Sequence, residues 1–231
     1  GELEEAEKLY RQALAIDEEL GSKANMASDY STIGIILKQR GELEEAEKLY
    51  RKALAIREEL GNKSGMTILF NNIGNLLKER GELEEAEKLY RKALAIREEL
   101  GNKSGMAFSY NIIANLLSQR GELEEAEKLY RQALAIREEL GNKSGISSSY
   151  TSIGNLLKNR GELEEAEKLY RQALAIDEEL GDKSGMASDY STIGIILKDR
   201  GELEEAEKLY RKALAIREEL GNKSGISSSY T

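Results

Sequence analysis

Six near-copies of one stretch, GELEEAEKLYR(Q/K)ALAI(D/R)EELG, begin at Gly1, Gly41, Gly81, Gly121, Gly161 and Gly201, so the chain repeats itself every 40 residues. No other feature of the sequence constrains the fold as tightly. A unit of this size is one supersecondary element that buries its apolar face only against its neighbours. Nearest-neighbour interfaces therefore hold the chain together, and we expect one array over residues 1–231.

Within the copied stretch, Leu3, Ala6, Leu9, Tyr10, Ala13, Leu14, Ile16 and Leu20 recur at steps of three and four. That spacing makes one apolar stripe of an amphipathic helix. Glu2, Glu4 and Glu5 sit in its first turn, where the helix dipole favours negative charge. Glu4–Lys8 and Glu7–Arg11 are spaced as i, i+4 pairs, worth about 0.2–0.5 kcal/mol each. Gly21 should end this helix, and an Asn or Ser in the following turn can cap the next one. A second helix is expected from about Met26 to Arg40, packing through Met26, Tyr30, Ile33, Gly34 and Leu37. Gly34, Gly74, Gly154 and Gly194 should allow close approach to the small Ala46-type position, with Ala114 replacing the glycine in the third unit. The fold class is all-α, built of antiparallel helix hairpins. The copied, constant helices start near 1, 41, 81, 121, 161 and 201. The others, the variable helices, start near 26, 66, 106, 146 and 186, with a partial one over 226–231.

Composition removes most other classes. The chain has no Cys and no His, so disulfides, thiolate chemistry, the common zinc ligands and the commonest general base are all missing. Ser, Tyr, Lys and Asp recur as columns of the repeat and assemble no nucleophile, base and anion-binding loop. We therefore expect no enzyme, no cofactor and no metal. The net charge of −9 disfavours nucleic acid as a partner. No apolar run reaches the roughly 20 residues of a membrane span, and no charged-then-apolar leader opens the chain, which makes the cytoplasm the default location.

Comparing the copies shows where the chain is free to differ. The constant helix changes chiefly at Gln12/Lys52 and in the column Asp17, Arg57, Arg97, Arg137, Asp177, Arg217. The simplest account of that column is a solvent-side charge or an inter-repeat ion pair, of little energetic weight because exposed pairs give roughly 0–1 kcal/mol. The variable helix changes far more, at columns beginning with Ser28, Ser31, Ile35, Lys38 and Gln39. Offsets of three, four and seven put these along one side, away from the Tyr30, Ile33 and Leu37 side.

Tyr30, Ile33, Gly34, Leu37, Gly41, Leu43, Ala46, Tyr50 and Ala53 fall at the spacings of the tetratricopeptide repeat, which the whole chain resembles. It departs from that family's common unit of about 34 residues in its longer period, its lack of Pro and a second helix extended to Leu60. Such long units look most like those of spindle-orientation adaptor proteins and, less closely, kinesin light chains. The resemblance implies an α-solenoid, a right-handed superhelix, whose concave groove is lined by the variable helices. It also implies a non-enzymatic protein-protein interaction scaffold, holding an extended peptide or partner helix there. The candidate residues are then Asn71, Asn75, Asn111, Asn115 and Asn155, whose carboxamides both donate and accept. Helices about 8–10 Å apart would present one Asn per roughly three residues of extended peptide. Ile68 and Phe108 would form an apolar pocket, and Lys78 and Lys158 would favour acidic ligands. Against this, the asparagines could be merely solvated, and Ile68 and Phe108 could pack within the stack.

A second function competes. The first and fifth copies differ only at Ser22/Asp182, Ala24/Ser184, Asn25/Gly185 and Gln39/Asp199, as in a consensus-like, recently amplified or engineered array. With no polar capping helix at either end, head-to-tail self-association could propagate as an open filament.

Overall fold

The computed structural model describes residues 1–221. They form α1 (Glu2–Leu20), α2 (Lys23–Gln39), α3 (Leu43–Glu59), α4 (Lys63–Glu79), α5 (Leu83–Glu99), α6 (Lys103–Gln119), α7 (Leu123–Glu139), α8 (Lys143–Asn159), α9 (Leu163–Leu180), α10 (Lys183–Asp199) and α11 (Leu203–Glu219). Odd-numbered helices are the constant ones and even-numbered helices the variable ones. Among the described residues there is no strand. The partial helix expected over 226–231 lies outside the described residues.

The variable helices begin at Lys23, Lys63 and their equivalents, three residues earlier than the apolar periodicity predicts. The capping geometry explains the difference. Asn62 accepts a hydrogen bond from the Gly65 N–H at 2.8 Å, Asn142 from Gly145 at 2.9 Å and Asp182 from Gly185 at 3.0 Å. A side-chain cap three residues ahead of its donor places Lys, Ser and Gly inside the first turn. The reversals are made by glycine in the left-handed region, with φ of 63° at Gly61 and 82° at Gly41.

The chain forms two compact units, Gly1–Leu116 and Leu117–Thr231, with the division inside α6. In the first, each of α1 to α4 packs on the helix that follows it; in the second, each of α7 to α10 does the same. The contact of a variable helix with the constant helix that follows it is the more extensive one. Ile33, Leu37, Ile73 and Leu76 in the first unit, and Ile153, Leu156 and Ile193 in the second, are almost wholly buried between helices.

Glycine in the variable helix does permit close packing, but against a tyrosine and not against the Ala46-type position. A Cβ added at Gly74 would lie 2.5 Å from Cε1 of Tyr90, and one at Gly34 would lie 2.6 Å from the same atom of Tyr50. The aromatic ring lies against the glycine Cα and fills the space a side chain would need.

Ion pairs knit the hairpins together. Glu47 takes Arg51 at 2.6 Å on its own helix and Arg80 at 2.6 Å from α4. Glu127 is held likewise by Arg131 at 2.7 Å and Arg160 at 2.6 Å. Burial works against each carboxylate, but the paired guanidinium groups outweigh it and hold both carboxyls below their usual range. The lysine expected to pair with the glutamate four residues before it pairs instead with the one three before. Lys48 meets Glu45 at 3.0 Å and Lys168 meets Glu165 at 3.1 Å, since both spacings share a helix face.

Candidate functional site

The five columns that spacing sets along one side of the variable helix are exposed or half-buried except at Asn71, whereas another varying column, that of Asp29, Leu69, Ser109, Ser149 and Asp189, is buried or half-buried. In the first unit, Ile35 of α2 is 43% exposed, Ile68 of α4 is 56% exposed and Phe108 of α6 is 48% exposed. Ile68 stands largely in solvent, while the Phe108 ring also carries the Arg97 guanidinium of α5, 5.4 Å from its centroid. Asn115 is exposed and Asn75 and Lys78 are half-buried on the same helices. Asn71, by contrast, is buried, and Asn111 is half-buried. The Oδ1 atoms of both are enclosed with no hydrogen-bond partner. In the second unit Asn155 is exposed on α8, Lys158 is half-buried, and Ile195 of α10 is 43% exposed.

The asparagine side chains are held from behind. The Tyr90 hydroxyl donates to Oδ1 of Asn75 at 2.7 Å, and the Tyr170 hydroxyl to Oδ1 of Asn155 at 2.8 Å. Burial, with a smaller push from the charge of Glu79, raises the Tyr90 phenol to about 12, so it stays a donor at neutral pH. Each carboxamide is thereby oriented with its N–H groups and one oxygen lone pair left for another partner. In the lysine column a carboxylate lies close by: Lys38 meets Glu79 of the next variable helix at 2.7 Å.

One set of residues escaped the sequence reading. The column Asp17 to Arg217, expected at the solvent side, is largely enclosed: Arg97 is 7% exposed and Asp177 is 6% exposed. Its side chains reach the variable helices. Arg57 donates to Oγ of Ser28 at 2.8 Å, Arg97 donates to Oγ of Ser109, and Arg137 donates to Oγ of Ser149 at 2.5 Å. A signal for this was available. Where the column holds Asp, the residue twelve further on is also Asp, as in Asp17 with Asp29 and Asp177 with Asp189; where it holds Arg, that residue is Leu69, Ser109 or Ser149.

A profile of the tetratricopeptide repeat matches residues 1–59, 66–139 and 145–219. The chain belongs to the tetratricopeptide repeat family. Solved structures agree in fold with this tetratricopeptide array. BtubC (BKLC) from P. vanneervenii has a TM-score of 0.85 at 23% identity, over 96% of this chain and 93% of that one. A putative kinesin light chain with nearly identical repeats from Podosopora anserina has a TM-score of 0.66 at 20% identity, over 89% of this chain and 97% of that one. A Rap protein complexed with competence and sporulation factor has a TM-score of 0.73 at 16% identity, over 98% and 68%. A comparison with curated protein sequences finds no match. Tetratricopeptide repeats serve generally as protein-interaction scaffolds, and the α-solenoid class is the one these helices form. Among the described residues no helix is long and apolar enough to cross a membrane.

Proposed function

We propose that this tetratricopeptide array is a non-enzymatic scaffold that holds an extended peptide or a partner helix on the exposed strip of its variable helices. One observation carries the reading: in the columns of Ser28, Ile35 and Gln39 near-identical copies carry different side chains, and these columns are exposed along the variable helices, or half-buried at Asn75. Differences in these columns give each helix its own contact chemistry. Ile68 and Phe108 supply apolar anchors of the kind that dominate binding energies. Asn75, Asn115 and Asn155 supply amide groups suited to a peptide backbone, with Asn71 and Asn111 beneath them and Lys78 and Lys158 beside them. The structurally similar Rap protein was solved holding a bound factor.

The test is selection of peptides by display against the whole chain, followed by fluorescence anisotropy with the selected peptides. Ile68→Ser with Phe108→Ser should weaken binding at least 10-fold, and Asn75→Ala with Asn155→Ala should do so by a few-fold. Arg51→Ala, on the constant helix, should leave it unchanged. Equal loss in all three would sink the reading.

A further inference from the structure

The second unit contains a cleft of about 250 Å³ between α8 and α10, lined among others by Ser147, Asp177, Asp182, Gly185, Ser188 and Asp189. Asp189 is only 2% exposed, and its Oδ2 is enclosed with no hydrogen-bond partner. Asp177, 6% exposed, accepts a hydrogen bond from Ser147 at 2.6 Å on Oδ1. Its Oδ2 lies over Gly185, in the space that a side chain at that position would take. A buried carboxylate oxygen without a donor is costly, and here two carboxylates share one enclosure.

Other copies show what this space accommodates. One copy earlier, Arg137 occupies the column of Asp177, and its guanidinium donates to Ser149, in the column of Asp189, and to the Gly145 carbonyl at 3.2 Å. In the fifth copy the arginine and its serine acceptor are both replaced by aspartate. The internal cation is gone and the walls have become acceptors. The first copy carries the same aspartate pair, but there Asn25 stands where the fifth has Gly185, and its amide donates to Asp17 at 3.1 Å. Gly185 removes that internal donor, and the Asp177 carboxylate lies over the position instead.

We propose that the Asp177–Asp189 cleft is a subsite for a guanidinium group, the side chain of an arginine presented by a bound partner chain. The proposal builds on the peptide reading above. A guanidinium fits because its planar fork of N–H donors can reach two carboxylates at once, and it is weakly hydrated enough to enter a partly enclosed site. The three carboxylates, Asp177, Asp182 and Asp189, are not arranged as a metal-ligand set among the described residues, whereas two acceptors flanked by serine hydroxyls suit an organic cation. Burial, and then the charges of Asp177 and Asp182, hold the Asp189 carboxyl up at about 7. An incoming cation would draw it back toward the ionised form, so binding should strengthen as pH rises from about 6 to 8.

The experiment is a nuclear magnetic resonance titration of the whole chain, with N-acetyl-arginine amide as probe and N-acetyl-citrulline amide as its uncharged counterpart. The arginine probe should give saturable shifts at the Gly185, Ser188 and Asp189 amides, and the citrulline probe none. Asp189→Asn should weaken binding at least 10-fold. So should Gly185→Asn, which keeps both aspartates in the sequence, takes the space over which Asp177 Oδ2 now lies and supplies the amide donor that Asn25 provides in the first copy. Equal binding of the citrulline probe, absence of saturable shifts in the unmodified chain, or undiminished binding in a folded Gly185→Asn variant would each overturn the proposal. The probe is a single side chain, so its failure leaves the strip at Ile68 and Phe108 untouched, and failure of that strip leaves this titration unchanged.

Discussion

The constant and variable helices share one architecture and divide its tasks. The constant helix offers Tyr50, Tyr90 and Tyr170 to glycines on the variable helix before it and carries the glutamates that collect two arginines each. The variable helix buries one side against those tyrosines, and its exposed columns of Ser28, Ile35 and Gln39 differ from copy to copy, as does the buried or half-buried column of Asp189. Under the proposed function, stability and recognition fall to different faces of one helix rather than to different domains. A residue's face predicts the consequence of changing it better than its chemical type does.

The sharpest way to break this division is on α4 alone. Ile73→Ala, at a site with no exposure, should cost about 2–5 kcal/mol in denaturant unfolding, whereas Ile68→Ala on the outward side of the same helix should stay within about 0.5 kcal/mol. A similar cost at both would erase the distinction. The next largest effect is pH-dependent. Asp189 is held at about 7 against an ordinary 3.8, with Asp177 of α9 and Asp182 of the preceding turn as its charged neighbours. Below about pH 4 both folded and unfolded chains are protonated there and stability is undiminished. From about pH 4 to 7 the unfolded chain ionises first and stability falls, by on the order of 1.4 kcal/mol for each step of one in pH. Asp189→Asn should flatten that slope in thermal melts recorded across the window.

Smaller effects test the seam between the two helix types. Gly74→Ala pushes a methyl group onto the Tyr90 ring and should cost about 1–3 kcal/mol, a penalty that Tyr90→Ala in the same chain would largely remove in a double-mutant cycle. Tyr90→Phe deletes only the hydrogen bond to Asn75 and should cost about 1 kcal/mol in the same denaturant titration. Arg80→Ala removes a half-exposed ion pair with Glu47 and should cost at most about 1 kcal/mol, less at high salt.

The hairpin period, the helix pairing and the family were legible in the sequence because periodicity is a backbone property repeated six times over. Three things were not. The start of each variable helix was placed at the first apolar residue, although the cap at Asn62 or Asp182 decides it three residues sooner. The partner of Gly74 was taken as a small residue, because spacing along a helix does not tell which neighbouring side chain will lie across it. The column of Asp17 and Arg57 was read as solvated since its residues are charged. Only its covariation with the column of Asp29 and Leu69 points to a pair of positions that face each other across helices. At the candidate surface, the exposure of Ile68 and Phe108 matches the reading from copy differences. Asn71, one turn before Asn75 on the same helix, is buried.

The glycine reversals carry a consequence for how such a chain changes over generations. A Cβ added at Gly41, Gly61, Gly81 or Gly101 would meet nothing within 4 Å, so each reversal depends on its own backbone and asks nothing of the side chains around it. Any such joint can replace another of its kind. Unequal crossing-over between two copies of the coding repeat therefore produces a chain longer or shorter by whole units with every bend intact, and the number of variable helices becomes something inherited as a count.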